Sequence, residues 1–148
     1  YVGFGKGVVS NWLGRVLLAR GQARAAIGAF DQVPAEDPNE YAAAQLWEGV
    51  AMSALGMQDL ATRTWSRVRE DVGGRVGPRG KALVHSADFL SGAIAEKEFR
   101  TALSSSPEFE NDMYFFLGWA SRADAGAAQA LFREAMQASR GRAPVDSR

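Results

Sequence analysis

The sequence predicts an all-α fold in which four related helix-turn-helix units stack as a solenoid. Large aromatic residues recur at intervals of 35, 34 and 33 residues, each between two small or short apolar residues. Such a period is typical of units that bury their apolar faces only by stacking. No segment alternates with period two over a useful length, so no strand is predicted. The aromatic residues are Phe30, Trp65, Phe99 and Phe132; the residues four positions before them are Ala26, Ala61, Ala95 and Ala128, and those three positions after them are Val33, Val68, Ala102 and Ala135.

The first unit reads as two helices separated by a glycine. Apolar residues at helical spacing run from Val8 to Leu18, and Gly21 interrupts them. A second apolar stripe covers residues 25–33 and ends at Pro34, which cannot donate a hydrogen bond to a continuing helix.

The second unit opens with a strong helix-start signal. Asp37 is an acidic N-cap, Pro38 occupies the first helical position, and Glu40 follows three residues after the cap. Gly56 marks the break, and the second helix is predicted over roughly 58–70.

The third and fourth units carry weaker signals. The third begins near Pro78 after the glycine-rich stretch 73–77 and breaks near residue 91; the fourth begins at Ser106 and turns over at 123–126. We therefore expect one domain of about eight helices over residues 1–148, with units at about 7–37, 38–72, 78–106 and 107–139. Because Tyr1 is not an initiator methionine, we expect this domain to be a segment of a longer chain.

This pattern resembles the tetratricopeptide repeat family, whose unit combines a Leu-Gly pair, a turn glycine, an alanine, an aromatic residue, a second alanine and a proline. The first unit matches with Leu13-Gly14, Leu17, Gly21, Ala26, Phe30, Val33 and Pro38. The second matches with Gly49, Met52, Gly56, Ala61, Trp65 and Val68, but has Glu48 where leucine is usual and Gly73 where proline is usual. The third lacks the Leu-Gly pair and keeps Ala95, Phe99, Ala102 and Pro107, and the fourth has Leu117-Gly118, Ala128, Phe132 and Ala135.

The resemblance implies a right-handed superhelix whose first helices line a concave groove for a peptide or partner protein. Carried over by register, the partner-binding residues are Asn11, Trp12, Arg15, Leu46, Trp47, Val50, Ser53, Phe115, Phe116, Trp119 and Arg122, and the third unit offers Ala82, Leu83 and Ser86. For Trp12, Trp47 and Phe116 an alternative stays open, which is packing between neighbouring first helices. The four recurring aromatic residues are predicted to be core instead.

Composition excludes several kinds of chemistry. Seventeen basic and seventeen acidic residues cancel, which argues against a general polyanion-binding surface. There is no cysteine, and the single histidine, His85, has Asp88 three residues on but no nucleophile placed by any motif. We therefore predict no enzyme activity, no cofactor, no metal site and no nucleic-acid partner. No apolar run approaches the ~18 residues that a membrane span needs.

The function predicted from the sequence is a non-catalytic scaffold for protein–protein interaction. Fourteen arginines against three lysines, with abundant alanine and glycine, suggest a bacterial origin. Related bacterial arrays serve envelope secretion or exopolysaccharide assembly, so the compartment is open between cytoplasm and periplasm, with any membrane anchor outside this segment. The alternative is a pentatricopeptide-type reader of single-stranded RNA, which has a similar period. At the C-terminal end, Leu131 and Met136 are predicted to form an incompletely covered face for a partner or a second copy.

Overall fold

In the computed structural model the chain is described at residues 5–72, 78–105 and 110–120, and at the helical positions 133 and 137. Within these ranges there are seven helices and no strand, which confirms the all-α prediction. In chain order they are α1 (Lys6–Ala19), α2 (Ala23–Phe30), α3 (Pro38–Ala54), α4 (Gln58–Val72), α5 (Pro78–Leu90), α6 (Glu96–Ser104) and α7 (Glu110–Ala120). Several predicted positions lie outside the described residues: Arg122, Ala128, Leu131, Phe132, Ala135 and Met136.

Consecutive helices pack in pairs, and the first helices of neighbouring pairs also touch. Helix α1 packs on α2, α3 on α4 and α5 on α6, while α1 contacts α3, α3 contacts α5, and α5 contacts α7. Helix α3 lies at the centre of these contacts and is buried along most of its length. It is therefore the element that positions its neighbours. Within the described ranges, no helix combines the length and apolarity needed to cross a bilayer.

Each pair is joined by the same tight turn, built around a glycine with positive φ. Gly21, Gly56 and Gly92 have φ of 76°, 81° and 88°, a conformation that other residues rarely adopt. The residue after each glycine donates its backbone N–H to a carbonyl five positions earlier: Gln22 to Leu17 at 2.9 Å, Met57 to Met52 at 2.9 Å and Ala93 to Asp88 at 2.7 Å. This is a glycine-based helix end of the Schellman type. The predicted breaks at Gly21, at Gly56 and near residue 91 are confirmed.

The third pair shifts this turn toward its aromatic residue. Gly92 lies closer along the chain to Phe99 than Gly21 does to Phe30, and α6 begins only at Glu96. As a result Ala95 precedes the helix and is exposed, whereas Ala26 and Ala61 are fully buried. Ala95 therefore does not take the buried position that Ala26 and Ala61 have in the first two pairs.

The recurring aromatic residues occupy the core in all three described pairs. Phe30, Trp65 and Phe99 are 2%, 2% and 0% exposed, which confirms the packing role predicted for them. Phe30 lies directly over Gly14, and Trp65 lies over Gly49 and donates its Nε1–H to the Leu46 carbonyl at 3.0 Å. A glycine is needed at both positions because a Cβ there would come within 2.4 Å and 2.2 Å of the rings.

In the third pair the recurring aromatic residue packs on another aromatic ring. Counted back from the aromatic residue, Leu83 has the spacing of Gly14 and Gly49, and Phe99 stacks on Phe89 with ring centroids 4.5 Å apart and planes 3° apart. Parallel ring stacking thus replaces the aromatic-over-glycine contact.

Helix α3 begins at Pro38 as predicted. The two acidic residues at its start, Asp37 and Glu40, do not cap the helix as the sequence indicated. The Asp37 side chain makes no capping hydrogen bond. Glu40 is only 8% exposed and forms an ion pair with Arg79 of α5. Asn11 of α1 donates its Nδ2–H to the Glu40 backbone oxygen at 2.9 Å and to Oε1 at 3.1 Å. Glu40 therefore links three first helices.

Candidate functional site

One candidate site is a groove between α1, α3 and α7 with a volume of about 760 Å³ and a mainly apolar lining. This α1/α3/α7 groove brings together five of the predicted partner-binding residues: Trp12, Arg15, Trp47, Phe115 and Trp119. They come from positions more than a hundred residues apart along the chain, and the packing of α7 against α3 and α1 brings them together. The volume is within the range of about 300–1,000 Å³ that is usual for ligand pockets.

The rim of the groove carries the most exposed large hydrophobic side chain among the described residues. Trp12 is 66% exposed, and its α1 neighbours Val9 and Leu13 are 53% and 45% exposed. Of these three, Trp12 lines the groove. Trp12 is therefore exposed at the surface and does not pack between neighbouring first helices.

The floor of the groove is Trp47, which is 5% exposed. Its ring centroid lies 4.7 Å from that of Phe115 and 4.9 Å from that of Phe116, both on α7. The Arg15 guanidinium of α1 lies 4.6 Å from the Trp47 centroid and pairs with Asp112 at 2.7 Å. Aromatic contacts and a cation–π contact therefore join α1, α3 and α7 around one side chain.

Four other predicted partner-binding residues belong to the core. Asn11, Leu46, Val50 and Phe116 are 6%, 2%, 0% and 1% exposed. These side chains are almost fully buried, which departs from the open groove expected from register, although Leu46 and Phe116 line a smaller cavity between α3, α5 and α7. The physical reason is that neighbouring helices cover α3 on several sides. Trp47 also packs between first helices rather than standing free on a surface.

The remaining predicted positions have local roles. Ser53 is half-buried, and its hydroxyl donates to Gln58 Oε1 at 2.8 Å across the α3–α4 turn. Ala82, Leu83 and Ser86 of α5 are buried around a smaller cavity of about 180 Å³ between α3, α5 and α7. Arg122, Leu131 and Met136 lie outside the described residues, as stated above.

A further pocket, which is polar, lies between α2, α3 and α4. No site was predicted there from the sequence. Asp31, Gln45, Glu48 and Arg67 are among its lining residues. Burial raises the pKa of Glu48 from 4.5 to about 8, helped by a hydrogen bond with Asp31 and by the Asp31 charge, while Arg67 acts in the opposite direction. One feature of the sequence could have indicated this pocket. Glu48 stands where the tetratricopeptide pattern, which the chain resembles, usually has leucine.

This raised pKa predicts that the protein loses stability as the pH rises. Glu48 binds its proton more tightly folded than unfolded, so its contribution is most favourable below about pH 4.5 and is lost as the pH rises through about 8. Glu48→Gln cannot ionise and should be more stable than the wild type by about 1–2 kcal/mol at about pH 9, since solvent screens part of the effect at this half-buried carboxyl. Urea unfolding at about pH 5 and pH 9 measures this.

The matched control is Glu36→Gln, which changes an exposed carboxyl in the loop before α3. The free energy of unfolding of this variant should equal that of the wild type at both pH values. An equal pH dependence for wild type and Glu48→Gln would contradict the prediction.

The one histidine is not arranged as a catalytic base with Asp88. The Asp88 carboxylate is ion-paired with Arg69 of α4, and within the described chain Nδ1 of His85 has no hydrogen-bond partner. The described side chains also contain no group of three His, Cys, Asp or Glu residues arranged to hold a metal ion.

Comparisons with protein-family models, curated proteins and solved structures found no match to this chain. The tetratricopeptide resemblance accordingly rests on the residues and spacings in the sequence.

Proposed function

We propose that this protein is a non-catalytic scaffold that binds a peptide or a segment of a partner protein in the α1/α3/α7 groove. In this proposal the helix pairs are tetratricopeptide-like repeats of a right-handed superhelix. The observation that carries the proposal is Trp12, which is 66% exposed at the edge of a largely apolar groove. Burial of one tryptophan by a partner supplies a large part of the binding energy of many interfaces.

The groove favours apolar side chains over charged ones. Arg15 lines it but is already paired with Asp112 and stacked on Trp47. Affinity would therefore come mainly from apolar and aromatic burial against Trp12, Phe115 and Trp119. An amphipathic helix or an extended segment with two or three large apolar residues suits such a groove. A bacterial envelope assembly is a narrower part of the proposal and rests on the resemblance alone.

The experiment begins with peptides selected from a random display library against the protein. Trp12→Ala is expected to weaken binding of the selected peptides by more than ~1 kcal/mol, because it removes the exposed anchor. Helicity by circular dichroism should remain unchanged, since the side chain is 66% exposed. Titration calorimetry supplies the affinities.

Leu13→Ala is the matched control, because Leu13 is 45% exposed on the same helix but does not line the groove. It should change affinity by less than ~0.5 kcal/mol. Equal affinities for wild type and Trp12→Ala would contradict the proposed site. Steeply salt-dependent binding of single-stranded RNA would instead support the pentatricopeptide-type alternative.

A further inference from the structure

One side of α1 carries the exposed large hydrophobic residues of the described chain, which are Val9, Trp12 and Leu13. With the half-buried Val16 they follow the spacing i, i+3, i+4 and i+7, which places four side chains along one side of a helix. We call these four residues the α1 stripe. The buried residues of the same helix are Gly7, Asn11 and Gly14. Helix α1 therefore buries one side in the protein and presents an apolar stripe on the other.

Basic residues continue the α1 stripe at both of its ends. Lys6 lies three residues before Val9, Arg20 lies four residues after Val16, and both are exposed. Among the described ion pairs, none includes Lys6 or Arg20. Residues 1–30 contain no aspartate or glutamate, and their basic residues are Lys6, Arg15, Arg20 and Arg24. The first helix pair thus concentrates positive charge in a chain whose net charge is zero.

The acidic residues that contact α1 do so away from Lys6 and Arg20. Asp37 lies against the buried Gly7, since its Oδ2 would be 3.4 Å from a Cβ at that glycine. Glu40 accepts a hydrogen bond from the buried Asn11. Asp112 is paired with Arg15, which lines the α1/α3/α7 groove. The stripe therefore combines apolar side chains with positive charge that these carboxylates do not neutralise.

We propose that the α1 stripe docks onto the surface of a bilayer rich in anionic lipid. Val9, Trp12 and Leu13 enter the boundary between headgroups and acyl chains, while Lys6 and Arg20 bind the lipid phosphates. A helix with apolar residues on one side and basic residues beside them is typical of helices that lie in this interface, and tryptophan is enriched there. Each cation close to an anionic surface strengthens binding roughly fivefold.

A second copy of the chain suits the α1 stripe less well. In an antiparallel pair of α1 helices, Lys6 of one copy would face Arg20 of the other, and in a parallel pair each cation would face its own counterpart. Like charges placed together oppose both arrangements. A uniformly anionic surface instead meets both cations at once, whatever the direction of the helix in its plane.

The membrane surface is separate from the peptide groove of the proposed function. Trp12 is shared by the two, whereas Val9 and Leu13 do not line the groove. Substitutions at Val9 and Leu13 therefore test lipid binding without removing a groove residue, and either proposal can fail while the other holds.

The test is cosedimentation of the whole chain with vesicles of phosphatidylcholine alone and of an equal mixture with phosphatidylglycerol. We expect binding to the mixed vesicles at low salt, and at least tenfold weaker binding to neutral vesicles or at high salt, because salt screens the cations. Tryptophan fluorescence should shift to shorter wavelength on binding. Trp12→Phe should still bind but lose most of that shift, since Trp47 and Trp65 are already buried.

Val9→Glu and Leu13→Glu should each weaken binding to the mixed vesicles roughly tenfold or more, because each places a carboxylate in the lipid boundary. Both positions are exposed, so the variants should fold, and circular dichroism verifies that. Ser66→Glu is the control, because it adds the same charge at an exposed position on α4. It should bind the vesicles like the wild type.

Three results would overturn the proposal. The first is no cosedimentation with the mixed vesicles at low salt, and the second is equal vesicle binding by Leu13→Glu and the wild type. The third is dimerisation that Val9→Glu abolishes, without vesicle binding, which would assign the α1 stripe to contact between copies. Equal binding to neutral and mixed vesicles would refute the role given to Lys6 and Arg20.

Discussion

Trp65→Ala is expected to lower the free energy of unfolding by about 3–5 kcal/mol, the range found when a buried large aromatic residue is truncated. Trp65 is 2% exposed, lies against Gly49 and donates its indole N–H to the Leu46 carbonyl. The substitution leaves a cavity and removes the hydrogen bond from the indole to the Leu46 backbone. Because domains are stable by only 5–15 kcal/mol, this is a large fraction of the total. Urea unfolding followed by circular dichroism measures it.

Trp12→Ala is the matched control, since it removes the same side chain from a site that is 66% exposed. Its effect on the unfolding free energy should be within ~0.5 kcal/mol of the wild type. The pair of variants thus separates packing from binding. Similar losses of unfolding free energy for both variants would mean that Trp12 is buried in solution. The proposed binding role of Trp12 would then be contradicted.

Gly49→Ala should be the second most damaging change, with a loss of about 1–3 kcal/mol from overpacking. The added Cβ would lie 2.2 Å from the Trp65 ring, and that ring cannot retreat because its Nε1 is bonded to Leu46. Gly14→Ala should behave similarly, since its Cβ would lie 2.4 Å from Phe30. Thermal and urea unfolding provide the measurements.

Gly28→Ala on α2 is the control, because a Cβ at Gly28 would meet nothing within 4 Å. Alanine is a better helix former than glycine, so this variant should gain about 0.5–1 kcal/mol. Gly49→Ala and Gly28→Ala are therefore expected to change the free energy of unfolding in opposite directions. A gain of stability for Gly49→Ala would show that α3 and α4 are farther apart than described.

Local patterns were sufficient to predict the helices and their turns. Gly21 and Gly56 end helices in the left-handed conformation, and Pro38 begins α3, all as the sequence indicated. These features depend on a few neighbouring residues, since a glycine that tolerates positive φ or a proline that lacks an N–H acts locally. The superhelical arrangement of the units stays a prediction.

The groove was predicted only in part, because register along a helix does not reveal what packs on each face. Trp12, Arg15 and Trp119 do line one groove, but Leu46 and Val50 are buried. The sequence showed an apolar stripe on α3 without showing that α1, α4 and α5 cover so much of it. In the same way, Glu40 looked like part of a helix cap, whereas distant Asn11 and Arg79 are its partners.

By itself, the sequence determined the helical period and the glycine at the first two turns, whereas at the third it indicated only a break near residue 91. It also determined which aromatic residue is buried in each described helix pair, because steric limits and helical spacing depend on residues of the same unit. Tertiary structure alone decided how Asp112 and Phe115 of α7 reach Arg15 and Trp47, and how Glu48 comes to lie against Asp31. The reason is that these contacts join residues far apart or on different helices, and depend on helix orientation, which no local pattern encodes. The α1/α3/α7 groove and the polar pocket between α2, α3 and α4 are therefore products of packing.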